Sequence, residues 1–194
     1  FQEKYIIPDI LENWCNVQFE TNPQSNFLDK LIYKGKIMYL MSQFLPHKNI
    51  ETILRFSKSE FEECEESESV IWDGIISLDL LYSNYEREYH SFFNIDVCTR
   101  PISPDSPSRL GYYTGYKIIQ NYMQNTDVSL LELMQNTNSQ QILLNSKYKV
   151  ILRPHPMSLK LSKKKIKSIK KKFLENYNFK LELDLPNFDS FLFS

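Results

Sequence analysis

Arg153 and His155 stand in the short run RPHP, separated by Pro154 and followed by Pro156, just after the β-type stretch Tyr148–Leu152. The C-terminal end of a strand is where open α/β sheets bind ligands. Arginine suits phosphate, and histidine can serve as a base or a phosphate donor. The competing reading of such a loop histidine is plain solvent exposure. Upstream, Arg109 follows PDSPS where a helix should begin. It can staple the proline loop by donating to its carbonyls or by pairing with Asp105.

The remaining chemistry-bearing residues form no recognisable constellation. His47 and His90 occur without an HExxH or a cysteine cluster and read as surface or core residues rather than ligands. The carboxylates Glu60, Glu62, Glu63, Glu65, Glu66 and Glu68 crowd one stretch, which is more simply a solvated helix face than a cation site. Cys15, Cys64 and Cys98 follow no ligand or redox spacing and read as free, mostly buried thiols. No serine or cysteine has a convincing His/Asp partner pattern. No catalytic residue, metal site or cofactor is assigned.

The elements that would position these residues are mostly helical. Residues 3–20 predict a helix after Pro8, with Ile10, Leu11, Trp14 and Val17 on one core-facing side. Residues 27–45 are apolar nearly all round and predict a buried central helix ending at Pro46. Short helices follow over 49–56 and 57–66, the second capped by Ser57 or Ser59, then a buried helix over 67–82 and a weaker one over 84–93. Pro101, Pro104 and Pro107 hold an extended loop. Ser106 or Ser108 caps the next helix, which runs to about Met123 and places Gly111 and Gly115 on one face, where a second backbone can approach. NTDVSLLELMQ and SQQILLNS give two more helices. Beyond them a strand, a lysine-rich helix opened by Ser162 and a strand NFKLELD follow the order of a parallel sheet unit.

Charge divides the chain at the same place. From Val150 onward there are ten basic and four acidic residues, against 13 and 20 in residues 1–149. Two parts are therefore expected, 1–149 and 150–194. The lysines of 163–172 read as the wet face of a helix, with no interleaved aromatics for base stacking, so no nucleic-acid partner is expected. No run approaches a membrane span. With Phe1 first and FLFS last, the chain is expected to be a fragment.

Four stretches in order carry a resemblance: KLIYKGKIMYLMSQFLP, the pair Ile71–Trp72 with Leu80–Ser83, PDSPSRLGYYTGYKIIQNYMQN, and SLLELMQ…QQILLNSKYK. Together they resemble the gliding-motility lipoprotein GldB family of Bacteroidetes, over residues 1–149 and its C-terminal half. That family is similar to predicted HExxH zinc proteases. The resemblance implies a mainly α, degenerate zincin-like domain in which Leu31–Met41 is the helix that would carry HExxH. Here it offers Tyr33, Lys34, Gly35, Lys36 and Ile37, which cannot hold zinc. It implies a non-enzymatic accessory protein of gliding motility and type IX secretion, working with other machinery proteins. Its anchor would be a lipidated cysteine outside this chain, on the periplasmic side of the cell envelope. Trp72, Arg109, Gly111 and Gly115 are its candidate structural or interaction residues. The tail, YKVILRPHP with FKLELDLPNFDSFLFS, resembles CDP-glycerol glycerophosphotransferase-like enzymes of GT-B fold over about 147–194. That resemblance implies an incomplete βαβ with Arg153 and His155 near donor phosphates, and the alternative reading of the chain as an inactive transferase fragment.

Overall fold

The computed structural model describes residues 2–19, 25–95 and 98–148, and the backbone of 151–152 and 180–181. The described part is mainly α-helical: α1 (Ile6–Gln18), α2 (Phe27–Phe44), α3 (Ile50–Leu54), α4 (Lys58–Glu66), α5 (Glu68–Ser77), α6 (Glu86–Tyr89), α7 (Leu110–Asn125), α8 (Leu130–Gln135) and α9 (Ser139–Asn145). Strand β1 (Ile151–Leu152) pairs in parallel with β2 (Lys180–Leu181). These four residues are all that is described of the expected strand–helix–strand segment; its helix and the rest of the Rossmann-like unit lie outside the described residues. No helix among the described residues is long and apolar enough to cross a membrane.

Helix α2 is the axis of the core. Asn26 opens it with a capping box: its Oδ1 accepts from the Asp29 amide at 2.9 Å, and its own amide donates to Asp29 Oδ2 at 3.1 Å. Two further first-turn amides, of Phe27 and Leu28, donate to the carbonyls of Ser83 and Leu81 at 3.0 Å each, so the orphan donors are satisfied inside the fold. Helix α7 makes the most extensive contact with α2, and α1, α3, α8 and α9 pack around it. The crossing is closed by Gly35 of α2 and Gly115 of α7: a Cβ on either would overlap the other helix's backbone. Phe27, Tyr89, Phe92 and Phe93 stack beside the start of α2, with centroid separations between 5.0 and 6.2 Å for the contacting pairs.

Four expectations need correction. The stripe Ile10, Trp14 and Val17 does not face the core; these residues are 65%, 50% and 71% exposed, and the core side of α1 is Pro8, Cys15 and part of Leu11. The helix expected over 67–82 stops at Ser77, because Asp79 turns left-handed (φ 54°). The Asp79 amide then bonds the Ile76 carbonyl, and the Leu80 amide bonds that of Ile75. No serine caps α7; Arg109 stands at its N-cap with φ 59°. Nor does Arg109 staple the proline loop. Thr99 and Ser106 do so, through Thr99 Oγ1 to the Pro107 carbonyl at 2.9 Å and the Thr99 amide to Ser106 Oγ at 3.1 Å. Ser57 does cap α4, in a capping box with Glu60.

Candidate functional site

Helix α1 sets its polar side against a cleft. Asp9, Glu12, Asn13 and Asn16 follow an i, i+3, i+4, i+7 spacing and share one side of the helix. They form one wall of a cleft of about 610 Å³. Arg109, the N-cap of α7, and Tyr112 of its first turn form the opposite wall, with Arg55 and the segment Phe93–Ile95 completing it. Arg55 reaches the cleft from the end of α3. The helix stops there because Arg55 turns left-handed (φ 65°), with the Phe56 amide bonded to the Glu51 carbonyl at 2.8 Å.

Two ion pairs organise the cleft. Arg55 pairs with Asp9. Arg109, only 2% exposed, places Nη2 at 3.2 Å from Glu12 Oε2, and its guanidinium lies 3.9 Å from the Tyr112 ring centroid. Arg109 Nε and Nη1 are buried with no hydrogen-bond partner. A buried donor left unmade costs about 1–3 kcal/mol. Burial, followed by the Glu12 charge, pushes the Tyr112 hydroxyl up to about 12.

Lys34 joins this side of α2, donating to Asn16 Oδ1 at 3.0 Å. Burial lowers its ammonium; Glu12 opposes that shift, and Arg109 and Lys30 add to it. Two residues on, Lys36 points to a second cavity of about 550 Å³, shared with Asp29, Tyr33, Asn136 and Ser139. It donates to the Asn136 carbonyl, is 7% exposed, and burial lowers its pKa to about 8. Gly35, sealed against α7, is thus flanked by Lys34 and Lys36. Tyr33, Lys34 and Lys36 do not form a zinc donor set. Among the described residues no three of His, Cys, Asp and Glu gather into a metal site.

The sequence candidates separate in space. Arg109 sits in the first cleft. Gly111 lies beneath the Phe93 ring and the Phe92 carbonyl, and Gly115 forms the α2 crossing. Trp72 is buried in α5, 6.0 Å from the Tyr148 ring, and lines neither cavity. Cys15, Cys64 and Cys98 are free and buried, and burial pushes the Cys64 thiol up to about 12. His47 and His90 are exposed. Arg153 and His155 lie outside the described residues. The polar spacing of Asp9, Glu12, Asn13 and Asn16 was the overlooked signal in the sequence; the apolar stripe beside it is more conspicuous and points the other way.

No curated protein and no solved structure matches the chain. Nothing in these comparisons supports the glycerophosphotransferase resemblance of the tail. A family profile described as Gliding motility protein GldB matches residues 1–150, more than three-quarters of the sequence and the whole of the helical core. The chain therefore belongs to the GldB family of gliding-motility lipoproteins.

Proposed function

We propose that this gliding-motility protein works by binding rather than catalysis, on a protease-like scaffold that lacks the zinc centre. The observation that carries the reading is the pair Lys34 and Lys36 on α2, flanking the Gly35–Gly115 crossing. Lys36 is a buried cation and Lys34 a half-buried one, and a divalent metal beside them would be repelled. In this reading the protein is an accessory of the gliding and type IX secretion machinery. It is held at the periplasmic side of the envelope by a lipid anchor outside this sequence, and it contacts other machinery proteins through its surface. Residues 150–194 then form a second part, foreign to the helical domain. Sequencing reads across the codons for residues 140–160 test that division.

The test of non-catalysis is direct. Protein purified without chelator should carry well under one zinc per chain by mass spectrometry and should hydrolyse no unfolded protein substrate. One tightly held zinc per chain, or hydrolysis abolished by substitution of Lys36, would overturn the proposal.

A further inference from the structure

We propose that the cleft between α1 and the start of α7 is a binding site for a small oxyanion, a carboxylate or a phosphate, received by Arg109, with Lys34 adding its charge from behind the wall, where it bonds Asn16 at 3.0 Å and lies 5.3 Å from the Tyr112 ring centroid. The inference does not depend on the gliding role or on the absence of catalysis.

The hydrogen-bond capacity left over at Arg109 is all donor capacity. Arg109 is 98% removed from solvent and spends Nη2 on Glu12, while Nε and Nη1 have no acceptor. Buried donors in folded proteins are nearly always paired. Two of the neighbouring acceptors are already engaged: Asn16 Oδ1 takes Lys34 Nζ at 3.0 Å and the Tyr33 hydroxyl at 3.3 Å, and Asp9 holds Arg55. What would complete the guanidinium is an oxygen acceptor from outside.

Charge points the same way. Arg55 and Arg109 line the cleft and Lys34 stands just behind it, bonded to Asn16, against two carboxylates, Asp9 and Glu12. Arg55 is matched by Asp9, so Glu12 alone serves both Arg109 and Lys34. One positive charge is in surplus, inside a helical part whose own formal balance is acidic. An anion corrects the surplus.

The local construction is that of a built site. Arg109 adopts a left-handed backbone (φ 59°) at a helix N-cap, a position that glycine or a small polar residue would occupy at less strain. Its side chain is fixed from the other face by the Tyr112 ring at 3.9 Å. The space, about 610 Å³, exceeds what a bare ion needs. Phe93 and Ile95 give it an apolar margin, and Asn94 and Ile95 at its mouth are exposed. A small organic body carrying the oxyanion fits that lining.

The experiment follows the Arg109 Nε–H resonance in ¹⁵N-labelled full chain, assigned through its own backbone amide. Sodium phosphate and sodium acetate are titrated in separate arms at constant ionic strength. Saturable movement of that resonance in the millimolar range is expected in at least one arm. Saturation with acetate alone assigns a carboxylate; saturation with phosphate alone assigns a phosphate. Lys34→Gln should weaken the saturating anion by about fivefold or more. Lys58→Gln, at an exposed ion pair with Glu62, should change nothing. The proposal is overturned if Arg109 drifts without saturation in both arms, as an exposed arginine would, or if saturation survives Lys34→Gln undiminished. Because Lys34 is disfavoured by its own burial, its removal is expected to leave the fold intact, and the wild-type titration stands without the variant.

Discussion

Helix α2 buries ten of its 18 residues and α1 two of its 13, although both contain enough aliphatic and aromatic residues to form a core face. The difference lies in what each helix meets. Helix α2 meets α7 across two glycines, so backbones touch and the side chains around the crossing are buried in the core. Helix α1 meets Arg55 and Arg109, and one buried and one half-buried guanidinium group demand carboxylates more than the core demands another isoleucine. Its polar side is set against the cleft and Ile7, Ile10, Trp14 and Val17 are left outside. Amphipathicity tells a helix that it has two faces; the partner decides which one is buried.

The largest expected effect breaks the dry side of this comparison. Gly115→Ala places a methyl against the Leu31 carbonyl and the Gly35 backbone, neither of which can swing away. It should cost about 3–4 kcal/mol by denaturant midpoint. Gly74→Ala meets only the flexible end of Ile102, and should cost well under half as much. A cost for Gly115→Ala equal to that for Gly74→Ala would mean that the crossing is looser than described.

Next comes the charged side. Glu12→Ala leaves Arg109 without its anion, and a loss of about 2–3 kcal/mol is expected from chemical denaturation. The loss should shrink when phosphate is added, if the cleft takes an oxyanion in place of the carboxylate.

Lys36→Met should stabilise by on the order of 1 kcal/mol at neutral pH, because it removes a buried ammonium held by one carbonyl. The pH dependence follows from the direction of the shift. The folded pKa, about 8, lies below the ordinary lysine value, so the unfolded chain binds more protons between them. Lys36 therefore penalises folding fully below about pH 8, and the penalty fades as pH rises toward the unfolded value. The difference in denaturant midpoint between Lys36→Met and wild type should be constant at low pH and close to zero by about pH 10.5. Taking the difference cancels the Cys64 and Tyr112 contributions, whose raised pKa values act with the opposite sign at high pH.

The smallest effect is expected on the outer face of α1. Ile10→Ser should change stability by no more than about 0.5 kcal/mol, whereas Leu31→Ala in α2 should cost about 2–5 kcal/mol. An Ile10→Ser loss of core size would place that face inside.

What could be read from the chain beforehand follows the same division. The burial of α2 was legible because apolar residues encircle it, and no rotation of such a helix leaves it a wet side. Ser57 with Glu60 announced a helix start through a local rule. The cleft was not legible, because Arg55 and Arg109 lie far apart in sequence and each depends on a left-handed backbone that no side-chain pattern announces. The Arg109 assignment failed for a related reason: Asp105 is near in sequence, but Glu12 arrives from 97 residues away. The end of α5 depended on Asp79 adopting φ 54°, where the apolar run alone would have carried the helix on.

The outward stripe of α1 is the central claim, and the chain's two tryptophans report on it separately, since Trp14 is 50% exposed and Trp72 1%. In Trp72→Phe only Trp14 emits. Its fluorescence should peak at long wavelength and be quenched by iodide almost as readily as free indole, while Trp14→Phe should leave blue-shifted emission from Trp72 that iodide barely touches. Blue-shifted, iodide-protected emission from Trp14 would contradict the orientation assigned to α1, and with it the polar wall of the cleft.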